Sequence, residues 1–173
     1  MTTHTLKLSG PEFLLYMGKL GDKFEGAARR GAMRGALRAV RHLQAQTGRA
    51  APANPQGVGV GGAVNTGQYK RSWKARNTSS GADVLNDAGY ASIIEHGRRS
   101  GSRFPPLGAI EQWARRRLNL NAKEAKAAAF PIARAIAKRG LRGRKILGSS
   151  IPLIEEWFLD AVRKELEREL SRV

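Results

Sequence analysis

The chain contains no cysteine and only three histidines among its 173 residues. Without cysteine, disulfides, thiolate nucleophiles and zinc–thiolate sites are all excluded. No apolar run approaches the roughly 20 residues that a membrane-spanning helix needs. The first ten residues, MTTHTLKLSG, also lack the apolar stretch and the small-residue cleavage site of a signal peptide. The sequence therefore predicts a soluble protein that is made in the cytoplasm.

Negative charge is scarce: 14 Asp and Glu stand against 31 Lys and Arg, a net charge of +17. Residues 151–173 hold 4 basic and 6 acidic residues, so residues 1–150 hold 27 basic and 8 acidic ones. Such an asymmetry suits a nucleic acid, an acidic protein partner or a neighbouring copy of the same chain. The length and a hydrophobic content of 41% predict one folded domain over residues 1–173.

The long stretch at residues 49–68, RAAPANPQGVGVGGAVNTGQ, is rich in glycine and contains two prolines. This composition excludes a regular helix and predicts a flexible arm or loop. Structureless loops of this length are uncommon inside compact domains, so the arm is expected to order against a neighbour in an assembly.

Helical patterns flank this arm. The motif SGPE at 9–12 pairs an N-cap serine with a glutamate three positions later. It opens a helix of roughly 30 residues, or two helices broken near Gly26 or Gly31. The predicted apolar stripe comprises Phe13, Met17, Leu20, Phe24, Ala28, Met33, Leu37, Val40 and Leu43 or Gln44. The opposite face carries Arg29, Arg30, Arg34, Arg38 and Arg41, either as a solvated surface or as a binding face.

The remainder predicts a small sheet followed by helices. Near alternation from Tyr69 to Asn77, a turn at Ser79–Gly81 and the apolar pair Val84–Leu85 indicate a hairpin. Three further helices are predicted. The apolar stripe of the first comprises Leu107, Ile110, Trp113 and Leu118. The second follows a cap at Asn121 and has the stripe Ala129, Ile132, Ala133 and Ile136, and the third has Leu153, Trp157, Ala161, Lys164 or Leu166, and Leu170. Pro131 should kink the second of these helices or mark its start. The fold class is therefore α+β, with a long N-terminal helix, a small antiparallel sheet and several C-terminal helices.

No set of residues in the sequence strongly indicates a catalytic site. Glu95 and His96 are adjacent, and adjacent side chains point in different directions on a helix or a strand. Asp83 and Asp87 have no spacing typical of a metal site, and GVGVGG at 57–62 is not followed by the Gly-Lys-Ser of a phosphate-binding loop. The sequence predicts no enzyme, no cofactor and no metal.

Nucleic-acid binding stays open as an alternative. The basic segments RRSGSR, RRR and KRGLRGRK could contact phosphates, and Tyr69 and Trp73 lie beside Lys70, Arg71 and Lys74. No base-reading element is recognisable, so this alternative is sequence-independent DNA binding.

A series of short motifs resembles the neck proteins of tailed bacteriophages, a family of head–tail joining or tail-component proteins. NTGQYKRSW places Thr66, Gly67 and Ser72 in the matching positions, and YASIIEHG supplies Tyr90, Ala91, Glu95 and Gly97. PPLGAIEQW and AFPIARAIAKRGLRGR follow in the same order. The position after Gly97, commonly threonine in that family, is Arg98 here.

The resemblance implies a structural virion protein that forms a ring, with six copies as the expected number, at the head–tail connection through which DNA passes. A tail terminator capping the tail tube is a further alternative. The implied partners are portal, adaptor and head-completion proteins, tail-tube or tail-terminator proteins, and non-specific DNA in the channel, with no membrane. Tyr90 and Ile94 would anchor the core, and Glu95 would hold a backbone or arginine contact. Gly97 would permit a tight turn of the backbone where the chain leaves this motif. The expected contacts to partners are Arg98, Arg99, Arg103, Arg139, Arg142 and Arg144 on a basic surface, and Glu155, Glu156 and Asp160 on an acidic one.

Overall fold

The computed structural model describes residues 10–49, 65–79 and 81–172, with the side chains of the first helix described from residue 18 onward. The helices are α1 (Gly10–Gly48), α2 (Gln68–Arg71), α3 (Ala91–His96), α4 (Leu107–Arg117), α5 (Ala122–Arg139) and α6 (Ile151–Leu170), with a short 3₁₀ turn at Gly148–Ser150. The strands are β1 (Trp73–Thr78), β2 (Gly81–Asn86), β3 (Gly97–Arg98) and β4 (Leu141–Arg142). The predicted α+β class is confirmed. Of the predicted arm at 49–68, residues 50–64 lie outside the described residues, and its last residue, Gln68, belongs to α2 rather than to a loop.

The described chain forms two compact units. The terminal unit consists of residues 10–39, 75–79, 81–84 and 153–172, and the central unit consists of residues 40–49, 65–74 and 85–152. Both α1 and the β1–β2 hairpin contribute residues to each unit. Within the described ranges, no helix combines the length and the apolar character needed to cross a membrane.

In the terminal unit, α1 packs on α6 through small residues. A side chain on Gly31 would lie 2.8 Å from the carbonyl oxygen of Ala161, and one on Gly35 would lie 2.9 Å from the Cα of Phe158. Ala27, Ala32, Ala36 and Ala39 are the buried side chains of this part of α1. The helix runs unbroken through Gly26 and Gly31. Gly31 and Gly35 permit the close backbone contact with α6.

The large apolar residues of α1 and α6 are placed differently from the predicted stripes. Leu37 is 45% exposed, and in α6 Leu153 and Leu170 are exposed while Ile154 and Glu165 are buried. The predicted stripes for these two helices were wrong in part, because close helix approach selects the small residues of α1 and shifts the inner face of α6. The predicted residues Phe13 and Met17 lie outside the described side chains.

The central unit is organised around a hydrogen-bonded aromatic group. The indole Nε1 of Trp73 donates to the Thr47 hydroxyl at 3.0 Å, and that hydroxyl donates to the carbonyl of Leu43 at 2.7 Å. The Tyr69 ring meets Trp73 edge to face, with a centroid distance of 5.7 Å. The buried indole N–H of Trp73 and the buried hydroxyl of Thr47 thus each have a partner, as burial requires.

Helices α4 and α5 pack together in the central unit. Asn121 begins α5 with a capping box, in which its side chain accepts from the backbone of Glu124 and the Glu124 carboxylate accepts from the backbone of Asn121. The predicted cap is confirmed, and α5 continues through Pro131 rather than starting there. Ala125, Ala129, Ala133 and Ala137 form its buried face. At the ends of the predicted α4 stripe, Leu107 and Leu118 are exposed.

Candidate functional site

The Glu95 carboxylate is engaged by the backbone of a distant loop. Both carboxylate oxygens of Glu95 accept backbone hydrogen bonds, from the N–H of Leu147 at 3.0 Å and from that of Gly148 at 2.8 Å. The Glu95 carbonyl also accepts from the backbone of Lys145. The glutamate at the end of α3 thus fixes the loop that precedes α6.

Gly97 lies where two backbones meet. The short strands β3 and β4 pair antiparallel, with Gly97 opposite Arg142 and Arg98 opposite Leu141. Gly97 has a φ of 82°, and a side chain there would collide with the backbone of Leu141–Gly143. Both constraints require glycine at this position.

This backbone pairing collects basic residues that are distant in sequence. Gly140, at the C-terminal end of α5, lies against the backbone of Arg98–Ser100, and the N–H of Gly101 donates to Ala137 at 2.8 Å. The residues brought together are Arg98, Arg99, Arg139 and Arg142, here called the basic cluster. The C-terminal end of a helix favours cations, which partly offsets the repulsion among them.

Two other predicted members of the basic surface behave differently. The Arg103 carbonyl accepts a hydrogen bond from the Arg98 guanidinium, and the Arg103 side chain is exposed. Arg144 is half-buried, and its backbone N–H donates to the carbonyl of Ile94. Burial, together with the charge of Arg117, lowers the pKa of Arg144. Arg144 is therefore less exposed than Arg103, and its contact to a partner stays a prediction.

The two units differ sharply in charge. The described residues of the central unit contain 19 Lys and Arg against 4 Asp and Glu, a net charge of +15. Those of the terminal unit contain 11 against 10. Three of the four central carboxylates are already engaged: Asp87 pairs with Lys74, Glu95 binds backbone, and Glu124 caps α5. The central unit thus presents a large positive charge that its own acids do not neutralise.

In the terminal unit, acids and bases pair with each other. Buried Glu165 forms ion pairs with Arg30, Arg34 and Arg168, and Glu169 lies 2.9 Å from Arg30. Burial on its own would raise the pKa of Glu165, but the hydrogen bond from Arg168 and the charges of Arg34 and Arg168 lower it overall.

The predicted acidic surface is narrower than expected. Glu155 and Glu156 are exposed on α6, together with Leu159, which is 70% exposed. These three residues are here called the acidic face. Asp160 instead accepts a hydrogen bond from Lys164 at 2.8 Å, which is the main cause that lowers the pKa of Asp160.

A basic surface that the sequence interpretation missed runs along α5. Lys123, Lys126, Phe130, Arg134 and Lys138 are all exposed and recur every three or four positions, so they share one helical face. This set is here called the α5 stripe. Phe130 is 54% exposed and stacks on Phe104, itself 49% exposed, with a centroid distance of 5.8 Å and an interplanar angle of 22°. The same periodicity is present in the sequence, beside the stronger apolar period of Ala129 and Ala133 on the buried face.

The remaining motif residues have local structural positions. The Thr66 hydroxyl accepts from the backbone of Gln68, and Gly67 begins α2 with a φ of 76°. The carbonyl of Ser72 accepts from the backbone of Asp87. Ala91 begins α3. Tyr90 is 37% exposed beside Tyr69, so its expected place in the core was wrong.

Comparisons with family models, curated proteins and solved structures give no match to this chain. Among the described residues, no three His, Asp or Glu side chains come close enough to hold a metal ion. A hypothesis about function therefore rests on three surfaces: the basic cluster, the acidic face and the α5 stripe.

Proposed function

We propose that this protein is a structural subunit of the neck or tail of a tailed bacteriophage. In this role, copies of the chain close into a ring that joins or completes the head–tail connection, DNA passes through the ring, and no bond is made or broken. The proposal combines the ordered motif series with the charge distribution of the two units. The portal, adaptor, head-completion and tail-tube proteins are the partners that this position requires.

The observation that carries the proposal is that one unit has a basic surface and the other unit has an exposed acidic one. The basic cluster belongs to the central unit, whereas the acidic face belongs to α6 of the terminal unit. Closed rings use heterologous interfaces, in which one surface of a subunit meets a different surface of the next. An exposed acidic surface and an exposed basic surface on one chain suit such a contact.

Leu159 supports the choice of the acidic face. Leu159, which is 70% exposed and follows Glu155 and Glu156 by about one helical turn, adds apolar area to a charged surface. Interfaces typically combine an apolar centre with a polar rim. The proposed subunit contact therefore places Leu159 at its centre and the two glutamates at its rim.

The oligomeric state of the purified chain tests this proposal. At about 50 mM salt, where charges are weakly screened, mass photometry should show one closed species, expected near six times the 18.8 kDa chain mass. Glu155→Lys with Glu156→Lys should shift the population to smaller species, while Lys19→Glu with Lys23→Glu, a control on exposed α1 positions, should leave the ring intact. A strict monomer, alone and with portal or tail proteins, would contradict the proposal.

Sequence-independent DNA binding is the second candidate function. The observation that favours it is the charge of +15 in the central unit, because cations in such numbers bind phosphate backbones without reading bases. A monomer that binds duplex DNA tightly, with a steep loss of affinity as salt rises, would favour this candidate over the ring.

A further inference from the structure

The α5 stripe is a continuous cationic surface with an aromatic pair in its middle. From Lys123 to Lys138 it spans 15 helical steps, or about 22 Å at ~1.5 Å per residue. A surface of that length could run beside about six base pairs of DNA at ~3.4 Å each. Phe130 lies between Lys126 and Arg134, and Phe104 stacks on it.

No acid neutralises this surface in the part of the chain that the structure describes. None of the four stripe cations has a carboxylate within ion-pair distance. Glu124, the one acid within α5, is held in the capping box by the backbone of Asn121. Cations without partners on one face repel one another, and an external anion relieves that repulsion.

We infer that the α5 stripe binds the phosphodiester backbone of nucleic acid and that the Phe104–Phe130 pair is its stacking platform. The cations contact phosphates, and the exposed ring surface receives an unpaired base. Basic grooves with interleaved aromatic side chains bind nucleic acid in this way. The inference deepens the proposed function, on which it rests for the statement that DNA reaches this surface in the ring channel.

The stripe is separate from the surfaces that are proposed to hold the ring together. It contains none of the four arginines of the basic cluster and none of the residues of the acidic face. Substitutions in the stripe can therefore change DNA affinity without changing the subunit contact.

The test measures fluorescence anisotropy with a labelled single strand and with its duplex, from about 50 mM to about 200 mM salt. Lys126→Gln with Arg134→Gln should weaken binding of both probes at least about tenfold and reduce the salt slope by about two, roughly one for each lost phosphate contact. Lys19→Gln with Lys23→Gln removes the same charge from exposed positions of α1 and should change affinity less than about twofold. Equal losses in the two variants, or no loss in the stripe variant, would overturn the inference.

Phe130→Ala distinguishes the two forms of nucleic acid. Single-strand affinity should fall at least about fivefold because a stacking surface is lost, while duplex affinity should change less than about twofold because paired bases are already stacked. Unchanged single-strand affinity would overturn the stacking platform. Polyglutamate bound as tightly as DNA, with the same loss in the stripe variant, would instead assign the surface to an acidic protein.

Mass photometry of the same samples separates the two proposals. An intact ring whose stripe variant has lost DNA affinity agrees with both. A ring whose DNA affinity is unchanged in the stripe variant contradicts only this inference. A monomer that loses DNA affinity in the stripe variant contradicts only the ring.

Discussion

The terminal and central units use charge in opposite ways. In the terminal unit 11 bases meet 10 acids, and buried Glu165 alone contacts three arginines. In the central unit 19 bases meet 4 acids, three of which are committed to a lysine, a backbone loop or a helix cap. Charge therefore stabilises the terminal unit internally, whereas in the central unit it remains available to an external partner.

The two units also obtain their internal order from different contacts. In the terminal unit, Gly31 and Gly35 permit close approach of α1 and α6, and ion pairs surround that contact. In the central unit, backbone meets backbone at Gly97 and Gly140, and the Glu95 carboxylate binds two N–H groups. The central unit thus folds with few ion pairs of its own, and its cations other than Arg98 and Arg144 are exposed.

The largest effect is expected at Gly97. Gly97→Ala should lower the free energy of unfolding by about 3 kcal/mol, because a left-handed φ and an overlap with the Leu141–Gly143 backbone act together. Gly101→Ala is a matched control: its φ is 76°, but nothing lies within 4 Å of the added carbon, so a cost of about 1 kcal/mol is expected. Denaturant unfolding measures both, and equal losses would show that the backbone contact at Gly97 contributes nothing.

A smaller effect, confined to acid conditions, is expected at Glu165. Its folded pKa lies below its ordinary value of 4.5, so the unfolded chain binds more protons once the pH falls past about 4.5. The stability contributed by Glu165 is therefore complete above that pH and is lost as the pH falls through the folded pKa. Because its three arginine partners are more than a third exposed, Glu165→Gln should cost only about 1 kcal/mol at pH 7. It should also flatten the acid limb of a Tm-against-pH curve.

The control for that experiment is Glu155→Gln, which changes an exposed glutamate on the same helix. It should leave both the neutral Tm and the acid limb close to those of the unchanged chain. An acid limb that is equally steep with and without Glu165 would show that the ion pairs of Glu165 do not stabilise the terminal unit.

Local signals predicted much of the fold. The hairpin, the cap at Asn121 and the final helix follow from turn residues, capping chemistry and amphipathic spacing, which act over a few positions. The buried faces of α1 and α6 could not be predicted in full, because Gly31 and Gly35 are buried by the approach of another helix rather than by their own hydrophobicity.

The candidate site was less predictable than the fold. Adjacent Glu95 and His96 suggested chemistry in the sequence, but the partners of Glu95 are Leu147 and Gly148, more than 50 positions away. The basic cluster likewise depends on β3–β4 pairing between two-residue strands, which carry almost no local signal. The α5 stripe was missed, although its spacing of three and four residues could have predicted it, because helical periodicity is local.

The most direct test of the central claim mixes two charge-reversed chains. One carries Glu155→Lys and Glu156→Lys, and the other carries Arg99→Glu and Arg139→Glu. Each chain alone should fail to form a ring, because like charges then meet at every subunit contact. In an equal mixture the reversed surfaces become complementary, so mass photometry should show a closed ring of alternating chains. Rings formed by either chain alone, or no ring in the mixture of two folded chains, would contradict the account.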